Sequence, residues 1–369
     1  MQIKKLKLLP INLSLKQPFA SAHETMRQRP VTLVALGDEL GNWGYGEIEA
    51  FATPFYTAET QVTSCYILQN FLWPLIKEQE YSDPRQLWQM MQAVKANHFA
   101  KAAIDMAVWD LTAKRLHQSL AALLAEVSGI TGRQQVPVGV SVGLHDLPQT
   151  VQAVRKAQIA GYSRIKIKVN GNQDLQRIAQ LRQQLPDFNL TLDANGSLTM
   201  TPTLAPEIDR LHLTFIEDPF SPVAWGQSWQ LQSEMQTPLC FDEPIVDVKM
   251  ALDAMQLEQC QIVSVKLAVL GGLTPVLQLL QAQQQQHFLM WCGGMLEGGI
   301  GRAANLALAS LSNFNFPGDL SANARYYDQD YTESLTFAHG QLLVPDAWGL
   351  GVELLPKYQT LLAQQPILD

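Results

Sequence analysis

The chain has 369 residues, 47% of them hydrophobic, and its formal net charge at pH 7 is −8. This length allows a barrel of about 200 residues together with a second domain. An acidic chain lacks the basic field that nucleic acid requires, and no segment is long and apolar enough to span a membrane. Cys65, Cys240, Cys260 and Cys292 form no CxxC pair, which argues against a disulfide framework and against a zinc site. We interpret them as buried thiols of a cytoplasmic protein without a nucleic-acid or membrane partner.

The first part of the chain, residues 1–130, is predicted to form an α+β domain. Its strand-like runs cover residues 3–15, 31–36 and 45–50, and its helical runs cover residues 57–73, 84–91 and 100–116. The last helical run is predicted to be a strong amphipathic helix. Two loops, residues 18–29 and 51–57, can cover the mouth of a neighbouring domain, and their aromatic residues Phe19 and Phe55 are candidate substrate contacts. Simple surface loops would have the same composition.

The middle part, residues 131–325, is predicted to be a barrel. Short runs rich in Val, Ile and Leu begin near residues 136, 164, 189, 212, 238, 262 and 287. Their nearly continuous apolar character is typical of parallel strands that are buried on both faces, and amphipathic segments separate them. Seven such units in succession predict a closed (β/α) barrel, in which the active site lies at the C-terminal ends of the strands. An open doubly wound sheet is the alternative, but it does not naturally bring five successive strand ends to one point.

The last part, residues 326–369, contains two further strand-like runs and a short helix. The strands are predicted at residues 335–337 and 342–344. We expect this tail to return to the first domain.

Asp193, Glu217 and Asp242 each close one of the apolar runs of the barrel. They are spaced by about 25 residues, the length of one strand plus one helix, and are therefore expected at adjacent strand ends. Carboxylates held close together repel one another unless a proton or a cation intervenes. Three oxygen ligands suit Mg²⁺, with Mn²⁺ as a substitute, whereas zinc would be expected to have His or Cys ligands. Separate helix caps or salt-bridge residues are the alternative.

Lysines flank this set, with Lys168 one strand before it and Lys266 one strand after it. In an eight-fold barrel these two strands face each other, so the two ammonium groups are expected on opposite sides of the metal. Lys166 shares a strand face with Lys168, and its charge should lower the pKa of Lys168, as a general base requires. A solvated strand edge is the alternative interpretation of the two neighbouring lysines.

A metal with a lysine on each side suits removal of the proton next to a carboxylate. That proton is too weakly acidic for a lysine in water, but Mg²⁺ on the carboxylate oxygens stabilises the enediolate that forms. A lysine base combined with Mg²⁺ is the arrangement found in enolase-superfamily sites.

Motifs along almost the whole chain point to the same group of proteins. They are KIKVN, LDANGS, IEDP, CFDEP, VSVKLAVLGG and WCGGMLEGGIGRAANLALASLSNFNFPGDLSA, of which the last is the most specific. With these motifs the chain resembles the muconate-lactonizing subgroup of the enolase superfamily. Within that subgroup it resembles the o-succinylbenzoate synthases and the N-succinyl(acyl)amino acid racemases. The resemblance implies an α/β fold, a (β/α)7β barrel with an N-terminal α+β capping domain that the C-terminal tail completes.

The resemblance also implies roles for individual residues. The Mg²⁺ ligands of the family match Asp193, Glu217 and Asp242, and its paired catalytic lysines match Lys168 and Lys266. Positions beside the metal ligands are matched by Asn195 and Glu243, and the substrate side of the barrel wall is matched by Ser141, Gly293, Gly294 and Met295.

The reaction that the resemblance implies is a Mg²⁺-dependent syn-dehydration, catalysed by a hydro-lyase of menaquinone biosynthesis. The small carboxylate substrate would be 2-succinyl-6-hydroxy-2,4-cyclohexadiene-1-carboxylate (SHCHC), and the product would be 2-succinylbenzoate, also called o-succinylbenzoate. Lys168 would remove the α-proton and help hydroxide to leave. Lys266 would stabilise the delocalised anion by its charge.

Racemisation of N-succinylamino acids is the alternative, and it requires both lysines to exchange protons. Racemase-competent relatives commonly carry an arginine three residues after the second lysine, whereas this chain has Val269 there. Because a nearby cation would help to keep Lys266 deprotonated, its loss favours the synthase, with racemisation as a side activity. A barrel that binds acids without catalysis is an alternative of another class. The sequence also leaves a homo-oligomer open.

Overall fold

The first domain consists of a three-stranded antiparallel sheet, whose strands lie side by side in chain order, and the helices that follow it. The computed structural model describes residues 1–20, 25–286 and 288–368. The elements of this domain are β1 (Ile3–Ala20), β2 (Thr25–Asp38), β3 (Trp43–Ile48), α1 (Gln61–Ile67), α2 (Trp73–Ile76), α3 (Pro84–Met91), α4 (His98–Arg115) and α5 (Leu120–Ser128). A π-helical turn, Leu68–Leu72, joins α1 to α2. The predicted helix at residues 57–73 begins later than expected because Thr60 caps it, its hydroxyl accepting from the Thr63 N–H at 3.2 Å.

The second domain is a parallel barrel, and the described residues contribute seven strands to its sheet, which lie side by side in chain order. Its elements follow β4 (Gln135–Pro137) as β5 (Gly139–Val142), α6 (Leu147–Ile159), β6 (Arg164–Lys168), α7 (Gln173–Gln184), β7 (Leu190–Asp193), α8 (Leu204–Asp209), β8 (Phe215–Glu217), α9 (Trp225–Glu234), β9 (Leu239–Phe241), α10 (Val248–Gln256), β10 (Ile262–Val265), α11 (Leu267–Leu270), α12 (Leu273–Gln286), β11 (Leu289–Cys292) and α13 (Gly299–Ala309). The predicted barrel and α+β domain are confirmed.

The barrel closes through residues 315–319, which lie between its first and last strands. The Asn315 N–H donates to Met290 O at 2.9 Å, and the Asp319 N–H donates to Cys292 O at 3.0 Å. On the other side, the Gly139 N–H donates to Gly318 O at 2.7 Å. This closing segment brings Asp319 to the same end of the barrel as the strand ends of the candidate site.

The run near residue 136, which we predicted as one strand, is split in two. Its first part is β4, which pairs with the tail, and its second part is the barrel strand β5. A 3₁₀ turn (Asn323–Arg325) precedes the tail, which contains β12 (Phe337–Ala338), β13 (Gln341–Leu343) and α14 (Pro356–Gln364). The end of the tail reaches the first domain, where the Leu368 N–H donates to Leu6 O at 2.9 Å. Among the described helices, none has both the length and the apolar character that crossing a bilayer requires.

Helix α4 lies between the two domains, and the prediction that it is amphipathic is wrong. Its residues are buried on nearly every side, including the charged Lys101, Asp105 and Asp110. On one side β3 approaches so closely that a β-carbon on Gly44 or Gly46 would collide with backbone atoms of the helix. A helix covered on both sides has no solvent face.

Asp105 joins this helix to the barrel. One carboxylate oxygen accepts from the Thr274 N–H at 2.9 Å at the start of α12, and the other accepts from the Thr274 hydroxyl at 2.6 Å. The Trp109 indole N–H also donates to this hydroxyl, at 2.9 Å. The orientation of the capping domain on the barrel is therefore fixed by buried polar contacts as well as by apolar packing.

Candidate active site

The strand ends of the barrel bring the predicted charged residues together. Lys168 at the end of β6 is in register with Asp193 at the end of β7, which is in register with Glu217 at the end of β8. Asp242 follows β9 directly, and Lys266 follows β10 directly. Because neighbouring parallel strands end at the same edge, these five side chains converge on one mouth of the barrel.

Each of the three carboxylates is paired with a lysine. Lys168 Nζ lies 3.0 Å from Asp193 Oδ2, and Lys266 Nζ lies 2.5 Å from Asp242 Oδ2. These two pairs occupy the two ends of the carboxylate set. Between them, the third ammonium group, that of Lys166, lies 3.1 Å from Glu217 Oε1 and 3.4 Å from Asp193 Oδ2.

The Lys166 ammonium group differs from the isolated charge that the sequence argument assumed. It is buried, and it also lies 2.7 Å from Asp319 Oδ2. Burial alone would lower the pKa of Lys166, but Asp319, Glu217 and Asp193 outweigh it and raise the pKa well above its ordinary value. The negative charges of these three carboxylates therefore offset the positive charge of Lys166, which we expected to act on Lys168.

Burial and neighbouring charges shift the pKa values of these carboxylates in different directions. Burial would raise the pKa of Asp193, but the neighbouring Lys168 and Lys166 outweigh burial and lower it to about 2. For Glu217, burial raises the pKa well above its ordinary value, and the charges of Asp193 and Asp242 add to the effect although Lys166 opposes it. Positive charge beside Glu217 would therefore favour its ionised form.

These residues fit a divalent cation that binds oxygen. Asp242 Oδ1 is buried and, among the described atoms, has no hydrogen-bond partner, which leaves its lone pairs free for a ligand bond. The donors are carboxylate oxygens, which Mg²⁺ prefers. Asp193, Glu217 and Asp242 would hold the ion from three adjacent strand ends.

A second group of carboxylates overlaps this set. Oxygen atoms of Asp218, Asp242 and Glu243 lie within 4.8 Å of one another. Asp218, however, uses its two oxygens to accept the N–H groups of Asp242 at 3.1 Å and Glu243 at 2.8 Å. We therefore assign to Asp218 the role of fixing the backbone at Asp242 and Glu243, and we favour Glu217 as the metal ligand.

Asn195 and Glu243 form a hydrogen-bonded chain beside Lys168. Lys168 Nζ donates to Asn195 Oδ1 at 2.5 Å, and the Asn195 amide donates to Glu243 Oε1 at 2.7 Å. Asn195 has a positive φ of 42°, which asparagine tolerates better than most residues. These two hydrogen bonds fix the direction of the Lys168 ammonium group.

The charged residues open into a cavity that is partly open to solvent. Its wall combines aromatic side chains with a few charged groups, as sites for small organic acids do. In the described part of the chain, the cavity is lined by Met26, Phe51, Phe55, Tyr56, Ser141, Lys166, Lys168, Asp193, Asn195, Asp242, Glu243, Lys266, Gly294, Met295, Leu296, Arg302, Asp319 and Tyr326. Glu217 lies beneath this surface and is fully buried.

Four of the predicted substrate contacts, Phe55, Ser141, Gly294 and Met295, therefore lie on the cavity wall. Gly293 lies behind Lys266, where a β-carbon would be 2.8 Å from Lys266 Cγ. Phe19 belongs to the end of β1, and its side chain is outside the described part of the structure.

The structure adds residues that the sequence argument did not single out. The Tyr56 hydroxyl contacts Lys266 Nζ and lies 3.3 Å from Asp242 Oδ2, and the Tyr56 ring centroid is 4.7 Å from the same ammonium group. Burial, and after it Asp242, raises the pKa of Tyr56, so the hydroxyl stays protonated. Tyr56 lies in the loop of residues 51–57. The prediction that this loop can cover the barrel mouth is the one sequence feature that pointed towards Tyr56.

Arg29 joins this loop to the opposite wall of the cavity. Its guanidinium donates to Ala50 O at 2.8 Å and to Leu296 O and Met295 O, both at 3.2 Å, and it lies 4.3 Å from the Phe51 ring centroid. One buried side chain thus fixes both the capping loop and the barrel loop around the cavity.

A capped barrel with two lysines around three carboxylates at its strand ends defines an enolase-superfamily type of site. The family model of the mandelate racemase / muconate lactonizing enzyme N-terminal domain matches residues 4–125, and that of the enolase C-terminal domain-like family matches residues 149–358. The chain belongs to this family, and the resemblance to its o-succinylbenzoate synthases and N-succinylamino acid racemases is confirmed.

Three relatives illustrate the similarity. An o-succinylbenzoate synthase of Enterococcus faecalis is 37% identical over 358 residues, which are 96% of each chain. An N-succinylamino acid racemase of Amycolatopsis is 34% identical over 97% of this chain and 96% of its own. A solved enolase-superfamily structure from Listeria innocua has a TM-score of 0.93 and 33% identity, and the match covers 100% of both chains.

Proposed function

We propose that this chain is a Mg²⁺-dependent hydro-lyase that converts SHCHC to o-succinylbenzoate in menaquinone biosynthesis. The observation that carries the proposal is the placement of Lys168 and Lys266 at the two ends of one carboxylate set, facing one cavity. The relative from Enterococcus faecalis that is named o-succinylbenzoate synthase supports the same reaction.

In this proposal Lys168 is both the base and the acid. Its neutral amine removes the proton from the carbon next to the substrate carboxylate, and the electron pair of the C–H bond passes into the resulting anion. When bound, Mg²⁺ supplies positive charge beside the carboxylate oxygens, where negative charge develops. The C–O bond to the neighbouring hydroxyl then breaks, and Lys168 returns its proton to the leaving hydroxide. Water departs from the same side, and the ring becomes aromatic.

The other residues bind or orient. Asp193, Glu217 and Asp242 are proposed to hold the metal, and Asn195 directs the Lys168 ammonium group by the hydrogen bond at 2.5 Å. Lys266 acts by its charge. Burial would lower the pKa of Lys266, but Asp242 opposes burial and the net effect is a raised pKa, which favours the charged form.

Racemisation of N-succinylamino acids is proposed as a side activity. The observation that favours it is that both lysines line the cavity, so each can approach one face of a bound α-carbon. Val269, however, is an uncharged, buried residue of α11 and supplies no cation that would help Lys266 to lose its proton. We therefore expect slow proton exchange on the Lys266 face.

The proposed setting is the cytoplasm, with a small-molecule carboxylate as the partner. All four cysteines are free within the described residues, and Cys240, Cys260 and Cys292 are buried. Free thiols of this kind suit a reducing compartment.

Turnover of SHCHC with and without a chelator tests the function. We expect purified protein to form o-succinylbenzoate in Mg²⁺, to stop in excess chelator, and to recover when Mg²⁺ or Mn²⁺ is added back. Equal turnover in excess chelator would refute the metal assignment. If no turnover occurs with any acid while the acid binds, the chain is an acid-binding barrel without catalysis.

A further inference from the structure

Asp319 is a carboxylate on the segment that closes the barrel, outside the proposed metal ligands, and 16% of its side chain is exposed, on the cavity wall. Its Oδ1 accepts from Arg164 Nη2 at 2.5 Å, and its Oδ2 lies 2.7 Å from Lys166 Nζ. Arg164 is itself fixed, since it donates to Pro317 O at 2.6 Å and to Thr191 Oγ1 at 3.3 Å. The position of the Asp319 carboxylate is therefore well determined, because one oxygen contacts Arg164 and the other contacts Lys166.

Lys166 is a buried cation among the proposed ligands. Its side chain is 7% exposed, and its ion pairs within the described residues are with Asp193 at 3.4 Å, Glu217 at 3.1 Å and Asp319 at 2.7 Å. A divalent cation on Asp193 and Glu217 would come close to this ammonium group and repel it. Of the three partners, Asp319 is the one that a metal would leave free.

The Lys166 side chain has little contact with water, since it is 7% exposed. The ammonium group lies 5.1 Å from the centroid of the Trp291 ring, which is completely buried. Leaving this place without a carboxylate partner would put an uncompensated charge in the protein interior. A lysine that stays at this position has either to compete with the metal for its ligands or to have another anion beside it.

We propose that Asp319 is a positioning residue that holds the Lys166 ammonium group away from Asp193 and Glu217 when a divalent cation occupies them. The inference rests on the proposed metal site and explains how a buried lysine among the ligands is compatible with metal binding. Without the charge of Asp319, Lys166 stays on Asp193 and Glu217 and competes with the cation.

The test is a double-mutant cycle in which Mg²⁺ affinity is measured by isothermal titration calorimetry. The proteins are the wild type, Asp319→Asn, Lys166→Met and the double variant, because asparagine keeps an oxygen acceptor for Arg164. Asp319→Asn should weaken Mg²⁺ binding by about tenfold or more, but by no more than about threefold in the Lys166→Met background. Asp253→Asn, a change of the same charge on the exposed face of α10, is the control and should leave the affinity unchanged.

Two results would overturn the role of Asp319. An equal loss of Mg²⁺ affinity with Lys166 present and in the Lys166→Met background would mean that Asp319 attracts the metal by its own charge and not by holding Lys166. No loss in either background would mean that the carboxylate is irrelevant to the metal.

A crystal structure of the wild type with Mg²⁺ tests the same point if Asp319→Asn does not fold. Lys166 Nζ should lie within about 3 Å of Asp319 and beyond about 4 Å from the ligand oxygens of Glu217 and Asp193. An ammonium group that remains on Glu217 beside the metal would overturn the proposal.

Glu217→Gln separates this inference from the proposed function. If Mg²⁺ binding does not depend on Glu217, the metal site itself is misassigned. If binding depends on Glu217 but the affinities of the wild type and Asp319→Asn are equal, only the positioning role of Asp319 fails.

Discussion

Gly293 offers a way to move Lys266 without changing its chemistry. The Gly293 N–H donates to Val265 O at 2.9 Å, which fixes the backbone beside the lysine stem. A β-carbon added at Gly293 would lie 2.8 Å from Lys266 Cγ, 3.0 Å from Lys266 Cε and 2.7 Å from Ser264 Oγ. Carbon atoms prefer to be about 3.5–4.0 Å apart, so in Gly293→Ala the lysine has to move by roughly 0.5–1 Å.

This displacement should separate proton transfer from charge stabilisation. A shift of about 1 Å can cost roughly 10²-fold where a group must meet a reacting atom. We therefore expect α-proton exchange on the Lys266 face of N-succinylamino acids to fall by roughly that factor. SHCHC dehydration should fall by less than about tenfold, because Coulomb attraction weakens only gradually with distance.

The assay compares kcat/KM for SHCHC with enantiomer-resolved exchange in D₂O. Gly226→Ala on α9 is the control, because a β-carbon there would meet no atom within 4 Å. If dehydration falls as steeply as exchange, Lys266 transfers a proton during dehydration. The assignment of Lys266 as a residue that acts by its charge is then refuted. If neither rate changes, contact with Gly293 does not determine where Lys266 lies.

Four further substitutions test neighbouring parts of the site and the fold. Tyr56→Phe keeps the ring beside Lys266 but removes the hydroxyl, and the loss of a hydrogen bond to a charged group should lower kcat/KM by roughly tenfold or more; an unchanged value would contradict the contact. Lys266→Arg should keep measurable dehydration while exchange on its face disappears, whereas Val269→Arg should raise exchange on that face more than on the Lys168 face. Burial raises the pKa of Asp105 from 3.8 to about 7, so the native state holds a proton that the unfolded chain releases between these values. The free energy of unfolding should therefore fall as pH rises through this window, by on the order of 4 kcal/mol, and Asp105→Asn should flatten that profile in denaturant titrations; equal pH profiles would refute the shift.

The barrel and its charged strand ends could be predicted from the sequence because their signal is local and periodic. Each unit combines an apolar strand with a helix, so Asp193, Glu217 and Asp242 recur at the length of one unit. Parallel pairing then brings residues from successive units to one edge, as the register of Lys168 with Asp193 demonstrates. No long-range contact had to be known.

The partners of these residues could not be predicted in the same way. Tyr56 reaches Lys266 from a loop 210 residues earlier in the chain, and Asp319 reaches Lys166 from the closing segment. Neither contact has a fixed spacing, since each depends on how distant elements pack. The role of Gly293 likewise depends on the distance to Lys266, which no sequence pattern encodes.

The same limit explains the error at α4. We expected one apolar stripe on this Ala-rich helix, whereas it is covered by β3 on one side and contacts α12 on another. The polar groups that would mark a solvent face are used in buried contacts instead, such as that of Asp105 with Thr274 at 2.9 Å. Which side of an amphipathic pattern meets water is decided by tertiary packing.

The role of Lys168 as base and acid can be measured through the dehydration rate of Lys168→Ala with SHCHC at saturating Mg²⁺. Lys168 is asked to remove the α-proton and to protonate the leaving group, and a positioned acid–base group supplies roughly 10²–10⁴-fold for each such step. We expect turnover to be lost while calorimetry still detects bound Mg²⁺. A variant that retains turnover within about threefold of the wild type would contradict this role and would place the base elsewhere.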